Sequence, residues 1–531
     1  MYVPLLLTDF LDRAVKLYGD KTAVIDDDKV VTYFELNERV NRLSHGLKEL
    51  GVEKGDRVAI LAPNTLEMLE GFYGAFQLGA VTVPLNIRLK PNDYLFILNH
   101  SETKVLFVDW ELYELIGPVR DLLHVEQIIV HGGGNIKLEE NDLNYDKWLA
   151  QFPAKPFDRA EMDERDIASL LYTSGTTGDP KGVMLTHRNN YIQALQVMHH
   201  LRVSDQDVLL HVLPMFHVNG WGSIFYYTSN GATQVMLRKT RPNIIFEKLQ
   251  KHGVTIMHMA PTVLNSLLQY YDENNLEISK SQNVRIVIGG SAPPITFITK
   301  VEDEMGWEFI QIYGMTETSP LTLTSIIRAQ HLDEPKEVQY RMKSKAGYQM
   351  SLTEVKVVNE NGEEVAPNGQ EIGELVIRSN GVMEGYWKNE KATKEVIRNG
   401  WFHTGDMGVV DSDGNIEIVD RKKDVIISGG ENISSIEVEN TLYEHPAVVE
   451  AAVISIPHEK WGETPHAVVV VRDSETVTEE EIIAFARERL ARYKAPTSVS
   501  FVEELPKTGS GKIQKAHLRN EFWKSKEKMV N

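Results

Sequence analysis

The chain has 531 residues with a formal net charge of −20, 42% hydrophobic and 25% charged residues, and no cysteine. That length is too great for one core, so two or more domains are expected. The missing cysteines exclude disulfides, thiolate nucleophiles and cysteine metal sites, so any thioester chemistry takes its thiol from a substrate. The acidity argues against nucleic acid as a partner, because nonspecific binding needs basic patches.

No apolar run reaches the ~18 residues of a membrane span, so no transmembrane segment is expected. The opening Met1-Tyr-Val-Pro-Leu-Leu-Leu7 lacks a basic flank and runs into Asp9 and Asp12, unlike a secretory signal. A cytoplasmic location is the expectation. Along the chain, Thr32 and Glu35 form a capping-box pattern ahead of Leu36, Val40, Leu43, Leu47 and Leu50, with Gly51 as the stop. Apolar runs at 57–61, 105–108, 127–130, 167–172, 255–257 and 284–288 read as strands. Their alternation with helical patterns predicts α/β layers with largely parallel sheets. Gly132 to Gly134 reads as a surface connection. A boundary falls at 420–424. Beyond it, Ser434 and Thr478 cap two helices around strand-like runs at 448–456 and 467–471, a small α+β domain of roughly 110 residues.

The most informative stretch is Tyr172-Thr-Ser-Gly-Thr-Thr-Gly-Asp-Pro-Lys-Gly182. Glycines let backbone N–H groups turn toward an anion, hydroxyls add donors, and Lys181 adds charge. It is not a Walker A loop, because Lys181 is followed by Gly182 rather than Ser or Thr. Further on come Leu213-Pro-Met-Phe-His-Val-Asn-Gly220, Gly289-Gly-Ser-Ala-Pro-Pro294, Tyr313-Gly-Met-Thr-Glu317 and Gly400-Trp-Phe-His-Thr-Gly-Asp406. The last two are Asp420-Arg-Lys-Lys-Asp-Val-Ile-Ile-Ser-Gly-Gly-Glu-Asn-Ile-Ser434 and Pro506-Lys-Thr-Gly-Ser-Gly-Lys512.

In that order and over nearly the whole chain, this set resembles the adenylate-forming (AMP-binding) superfamily. The look-alikes are its acyl-CoA synthetases, especially the short- to medium-chain acyl-activating and methylmercaptopropionate–CoA ligase branch. The resemblance implies a large N-terminal multi-subdomain α/β adenylation domain (1–420), a hinge (421–424) pivoting at Lys423, and a small mobile α+β domain (425–531). It implies an acid–thiol ligase: a carboxylate attacks the α-phosphorus of ATP, and coenzyme A then displaces AMP. The carboxylate is already ionised at neutral pH, so catalysis is expected from placement and positive charge on the phosphates.

By resemblance, Thr173, Ser174, Gly175, Thr176, Thr177 and Lys181 hold the β- and γ-phosphates. Thr316 contacts the α-phosphate, and Glu317 helps hold Mg²⁺, a hard cation that suits oxygen ligands. Gly290, Ser291, Ala292, Gln311, Tyr313 and Gly314 line the nucleotide, Tyr313 by stacking. Asp406 and Arg421 take the ribose. Lys512, a point charge on a long arm, serves the carboxylate and α-phosphate during adenylation. Rotation of the small domain then brings Gly429 and Gly430 to the site for coenzyme A. His217 stands where amino-acid-activating relatives carry an aspartate, so an α-amino acid is not expected. Trp221 resembles a tryptophan that gates a fatty-acyl tunnel, and a short- to medium-chain or longer fatty acid is the expected substrate. An adenylation enzyme loading a carrier protein and a luciferase-like oxygenase share the same nucleotide motifs. A homodimer is an expectation from resemblance.

Overall fold

The structure is a computed structural model describing residues 1–133, 137–173, 180–276, 283–290, 292–429, 431–472, 477–507 and 513–523. It is an α/β molecule with a large N-terminal part and a smaller C-terminal domain. Among the described residues it contains an eight-stranded and a nine-stranded sheet, each largely parallel at its centre, and two five-stranded sheets. The expected strands appear as Arg57–Leu61, Thr103–Asp109, Gln127–His131, Ile167–Thr173, Ile256–Met259 and Arg285–Ile288.

Local signals explain the flanking helices. Thr32 accepts from the Glu35 N–H and Glu35 accepts from the Thr32 N–H, opening the helix Tyr33–Glu49. Its face Leu36, Val40, Leu43 and Leu47 is wholly buried. The helix Leu66–Gln77 is buried on every side. Tyr73 on it donates to the Ile224 carbonyl at 2.9 Å, so a buried hydroxyl keeps a partner.

One element lies outside the sequence expectations. Ile167–Thr173 turns back as the antiparallel strand Lys181–Thr186, which sets Thr173 opposite Lys181. The two strands flank the phosphate-loop motif in sequence. On its outer side Lys181–Thr186 pairs with Gly385–Tyr386.

In the C-terminal domain, Val448–His458 and Gly462–Val471 form a long hairpin joined in parallel by Ser498–Phe501. Ser434 caps the helix Ser435–Tyr443, and a Thr478–Glu481 capping box opens the helix Glu479–Arg489. Ile433, Val438, Leu442, Ile482 and Ala486 fill the space between sheet and helices. The chain passes from one part to the other between Ile416–Arg421, paired within the large part, and Ile426–Ser428, paired within the small sheet. The parts touch through Asn265, which donates to the Val449 carbonyl at 3.1 Å, and through Phe297 edge-on to Tyr443.

Candidate active site

The strand Glu308–Gly314 lies between Arg285–Ile288 and Leu321–Thr324 in the nine-stranded sheet. Ligands of open α/β sheets sit beyond the carboxyl ends of such strands. At this end Tyr313 donates its hydroxyl to Asp406 Oδ2 at 2.7 Å. Burial, with the Asp406 charge beside it, holds the Tyr313 hydroxyl well above its usual range, so it stays a donor. Asp406 lies on Trp401–Val410 directly opposite Arg421, whose Nε is 3.7 Å from Asp406 Oδ1. An aromatic ring, a carboxylate and a guanidinium from two sheets therefore meet at one place. Gly314 is required there: a Cβ on it would stand 1.6 Å from the Pro320 carbonyl oxygen. Gln311 is buried, its N–H donates to Ser325 Oγ, and its side-chain oxygen has no partner among the described residues. A bound polar group would satisfy that oxygen.

Thr316 is buried on the short turn Thr316–Thr318 that follows. Glu317 accepts from the Tyr386 hydroxyl at 2.8 Å. Burial and the neighbouring Glu317 raise the Tyr386 hydroxyl, so the proton stays on the phenol. Lys181 Nζ stands 5.0 Å from the centre of the same ring, within cation–π range. The Met383 N–H donates to the Glu317 carbonyl and the Trp387 N–H to the Gly182 carbonyl. The segment 383–387 thus straps Glu317 to the strand Lys181–Thr186. Sequence reading missed Tyr386 and Trp387, because two adjacent aromatics near a glycine carry no periodicity that marks a site. Gly290, with φ of 106°, and half-buried Ala292 follow Arg285–Ile288. Ser174, Gly175, Thr176, Thr177, Ser291, Gly430, Lys512 and Gly134 lie outside the described residues.

The acyl candidates sit on unusual backbone. His217 is half-buried and begins a turn in which Val218, Asn219, Gly220, Trp221 and Gly222 have φ of 49°, 53°, 62°, 59° and 76°. Left-handed backbone costs roughly 1–2 kcal/mol per non-glycine residue, and for the β-branched Val218 it is rare. Buried amides hold the turn: Asn219 donates to Ser169 Oγ, and Gln193 donates to the Trp221 carbonyl, both at 3.2 Å. The turn aims the Trp221 indole between Gly289, where a Cβ would stand 2.9 Å from the ring, and His258, whose ring stacks 6.0 Å away. Tyr227 lies 3.0 Å and Tyr226 3.4 Å from the two His258 nitrogens. Burial lowers His258 to about 3, so it is neutral at pH 7. His258, Tyr226 and Tyr227 are further residues that the sequence did not single out.

Gly429, with φ of 62°, ends the strand Ile426–Ser428, and its N–H donates to the Trp461 carbonyl. A Cβ on Gly429 would meet the Trp461 ring at 2.7 Å, so the glycine face is floored by a half-exposed indole. Lys423 lies in the segment that passes between the two sheets.

Residues 11–387 match the family described as AMP-binding enzyme, and residues 437–512 match the AMP-binding enzyme C-terminal domain. The chain belongs to the AMP-binding enzyme family. It is 38% identical to a peroxisomal trans-cinnamate:CoA ligase of Petunia hybrida, covering 98% of this chain and 94% of the relative. It is also 38% identical to a peroxisomal butyrate–CoA ligase of Arabidopsis thaliana, over 98% and 93%. A solved anthranilate CoA ligase in complex with anthranoyl-AMP superposes with a TM-score of 0.89 at 28% identity, covering 98% of both chains. ATP-bound MatB from Rhodopseudomonas palustris gives 0.86 at 26%, over 98% and 99%. This family member is an AMP-forming acid–thiol ligase that makes acyl-CoA from a small carboxylic acid, ATP and coenzyme A. No helix among its described residues is long and apolar enough to cross a membrane.

Proposed function

We propose that the enzyme activates a short-chain or aryl carboxylic acid, in a pocket that ends at Trp221. The observation that carries this reading is the pair of polar clusters Arg421–Asp406–Tyr313 and Glu317–Tyr386–Lys181, at the end of one strand and on the turn that follows it, with Trp221 packed against Gly289 on the neighbouring strand end. Relatives named for cinnamate, butyrate and benzoate support the substrate class over a long fatty acid.

In the first step a carboxylate oxygen bonds to the α-phosphorus and the bond to pyrophosphate breaks. Tyr313 packs against adenine, Asp406 accepts from the ribose hydroxyls, and Arg421 approaches the same sugar. Thr173 to Lys181 grip the β- and γ-phosphates, Thr316 donates to the α-phosphate, and Lys512 bridges the two anions. Glu317 fits Mg²⁺: its carboxylate is anchored by Tyr386, and a single protein carboxylate beside phosphate oxygens is a common arrangement for that ion. Bound there, Mg²⁺ would supply charge neutralisation on the phosphates. In the second step the coenzyme A sulfur bonds to the acyl carbon and AMP leaves with the electron pair. We assign residues 421–424 as the hinge and Gly429 and Gly430 as the face that replaces Lys512 for this step. A cytoplasmic monomer or homodimer completes the reading; fractionation tests the location against the peroxisomal label of the plant relatives.

A panel of acids from acetate to palmitate, with benzoate and cinnamate, tests the assignment by release of AMP and acyl-CoA. Turnover confined to palmitate would overturn the pocket, and acyl-AMP without acyl-CoA would favour a carrier-protein acceptor. Lys423→Pro is expected to spare pyrophosphate exchange and to slow thioester formation at least about 10-fold, by freezing the pivot torsion. An unchanged second step would remove the rotation.

A further inference from the structure

The terminal helix Lys515–Trp523 begins three residues after Lys512 and is tied to the hinge by buried charges. Arg519 is only 5% exposed. Its guanidinium donates to the carbonyl of Lys423 itself at 2.9 Å and to Asp424 Oδ1 at 2.8 Å, while its Nε has no partner among the described residues. Lys515, one turn earlier, pairs with Glu439 at 2.7 Å and donates to Ser435 Oγ. Ser435 in turn donates its N–H and its hydroxyl to Asp420 Oδ2 at 2.7 and 2.6 Å.

On the other side, the Lys422 N–H donates to the Gly405 carbonyl of the large domain at 2.9 Å. Between that bond and the Arg519-held carbonyl lie just Lys422 and Lys423, each with two soft torsions. Two turn bonds span the gap, from the Asp424 and Val425 N–H groups to the Arg421 carbonyl at 2.8 and 3.0 Å. A rotation has to break those two bonds, together with the Ser435 bonds to Asp420, the Ser434 hydroxyl's bond to the Val419 carbonyl and the Asn265 bond to Val449, and it leaves the Arg519 contacts intact.

We propose that Arg519 is a positioning residue that fastens the Lys423 carbonyl to the small domain. It thereby confines the domain's pivot to Lys422 and Lys423 and makes the helix Lys515–Trp523 turn as one body with the hinge. This rests on the two-step function and domain rotation proposed above. Both bonds come from the one nitrogen Nη1, so a single fixed positive charge grips a carbonyl and a carboxylate together.

The chain has no cysteine, so spin labels on Leu195→Cys and Ala484→Cys, both exposed, report the distance between the domains. The labelled parent is expected to give two narrow distances, one with ATP, Mg²⁺ and acid, the other with acyl-AMP and coenzyme A. Arg519→Met is expected to merge them into one broad distribution and to slow acyl-CoA formation about 10-fold at an unchanged KM for ATP, since small misplacements cost rate. Arg519→Lys should recover the two peaks and most of the rate. Asp424→Asn, which keeps the carbonyl bond, gives intermediate widths and covers the case in which Arg519→Met does not fold. Peaks as narrow as the parent's in the folded Met or Asn variant, whatever its Tm, would overturn the proposal, since a purely structural role changes stability alone. A single distance in the parent under every condition would instead overturn the rotation, and the pivot with it.

Discussion

At the proposed nucleotide edge, side chains from different elements are joined by direct polar bonds, Tyr313 to Asp406 between two sheets and Tyr386 on an edge strand to Glu317 on the turn Thr316–Thr318. At the proposed acyl end, Trp221 rides on left-handed backbone that begins just after His217, and the indole is fixed by packing against Gly289 and His258. The polar frame is held by hydrogen bonds between its side chains, which suits a nucleotide common to every acid. The other end is held by packing around Trp221, so a change of side-chain volume there is expected to alter which acid fits while leaving the nucleotide frame intact. Strain retained around Trp221 is consistent with an aimed side chain, since strain persists where the surroundings over-determine it.

The largest effect tests whether the polar frame is sufficient by itself. Lys512→Ala is expected to lower pyrophosphate exchange at least ~100-fold, the scale of losing one transition-state donor. Thioester formation from supplied acyl-AMP should persist. Equal loss in both steps would mean that Lys512 serves the fold or the docking of the domain rather than the first step.

The sequence made the nucleotide edge legible because each of its parts lies in a short motif. Tyr313 and Glu317 are four residues apart, and Asp406 follows a Trp-Phe-His-Thr-Gly run. Helix starts at Thr32, Ser434 and Thr478 were equally legible, since a cap is a local interaction. Partners that meet only through sheet register were not. Tyr386 reaches Glu317 because Gly385–Tyr386 pairs with the strand Lys181–Thr186, and His258 reaches Trp221 from a strand thirty-seven positions on in sequence. Arg519 looked like any tail arginine until the terminal helix placed it on the hinge carbonyl. The returning strand Lys181–Thr186 was hidden behind the loop motif that begins it.

A smaller effect probes the packed end. Trp221→Leu should raise kcat/KM for octanoate relative to butyrate by about 10-fold, since each methylene accommodated is worth about 1–3 kcal/mol. Pyrophosphate exchange with the best short acid should change far less. If the preference does not move while activity falls uniformly, Trp221 supports the fold and the acyl end lies elsewhere.

The smallest effect distinguishes the two ends by their response to acid. Burial lowers His258 to about 3 and His187 and His211 to about 4, against about 6.5 in an unfolded chain. These groups are neutral when folded and bind protons more readily when unfolded. Their contribution to stability is therefore complete above about pH 6.5 and is lost as pH falls from there toward the folded values. Each adds a slope approaching ~1.4 kcal/mol per pH unit in that window, so Tm should drop by several degrees between pH 7 and 5.5. His258→Gln should remove one proton's share of that slope. Tyr313 and Tyr386, raised by burial and their carboxylate neighbours, stay protonated throughout, so the nucleotide frame keeps its hydrogen bonds while the floor behind Trp221 loosens. A pH profile of Tm that His258→Gln leaves unchanged would show that the imidazole is not held neutral against the tyrosines, and the contrast between the two ends would then rest on backbone strain alone.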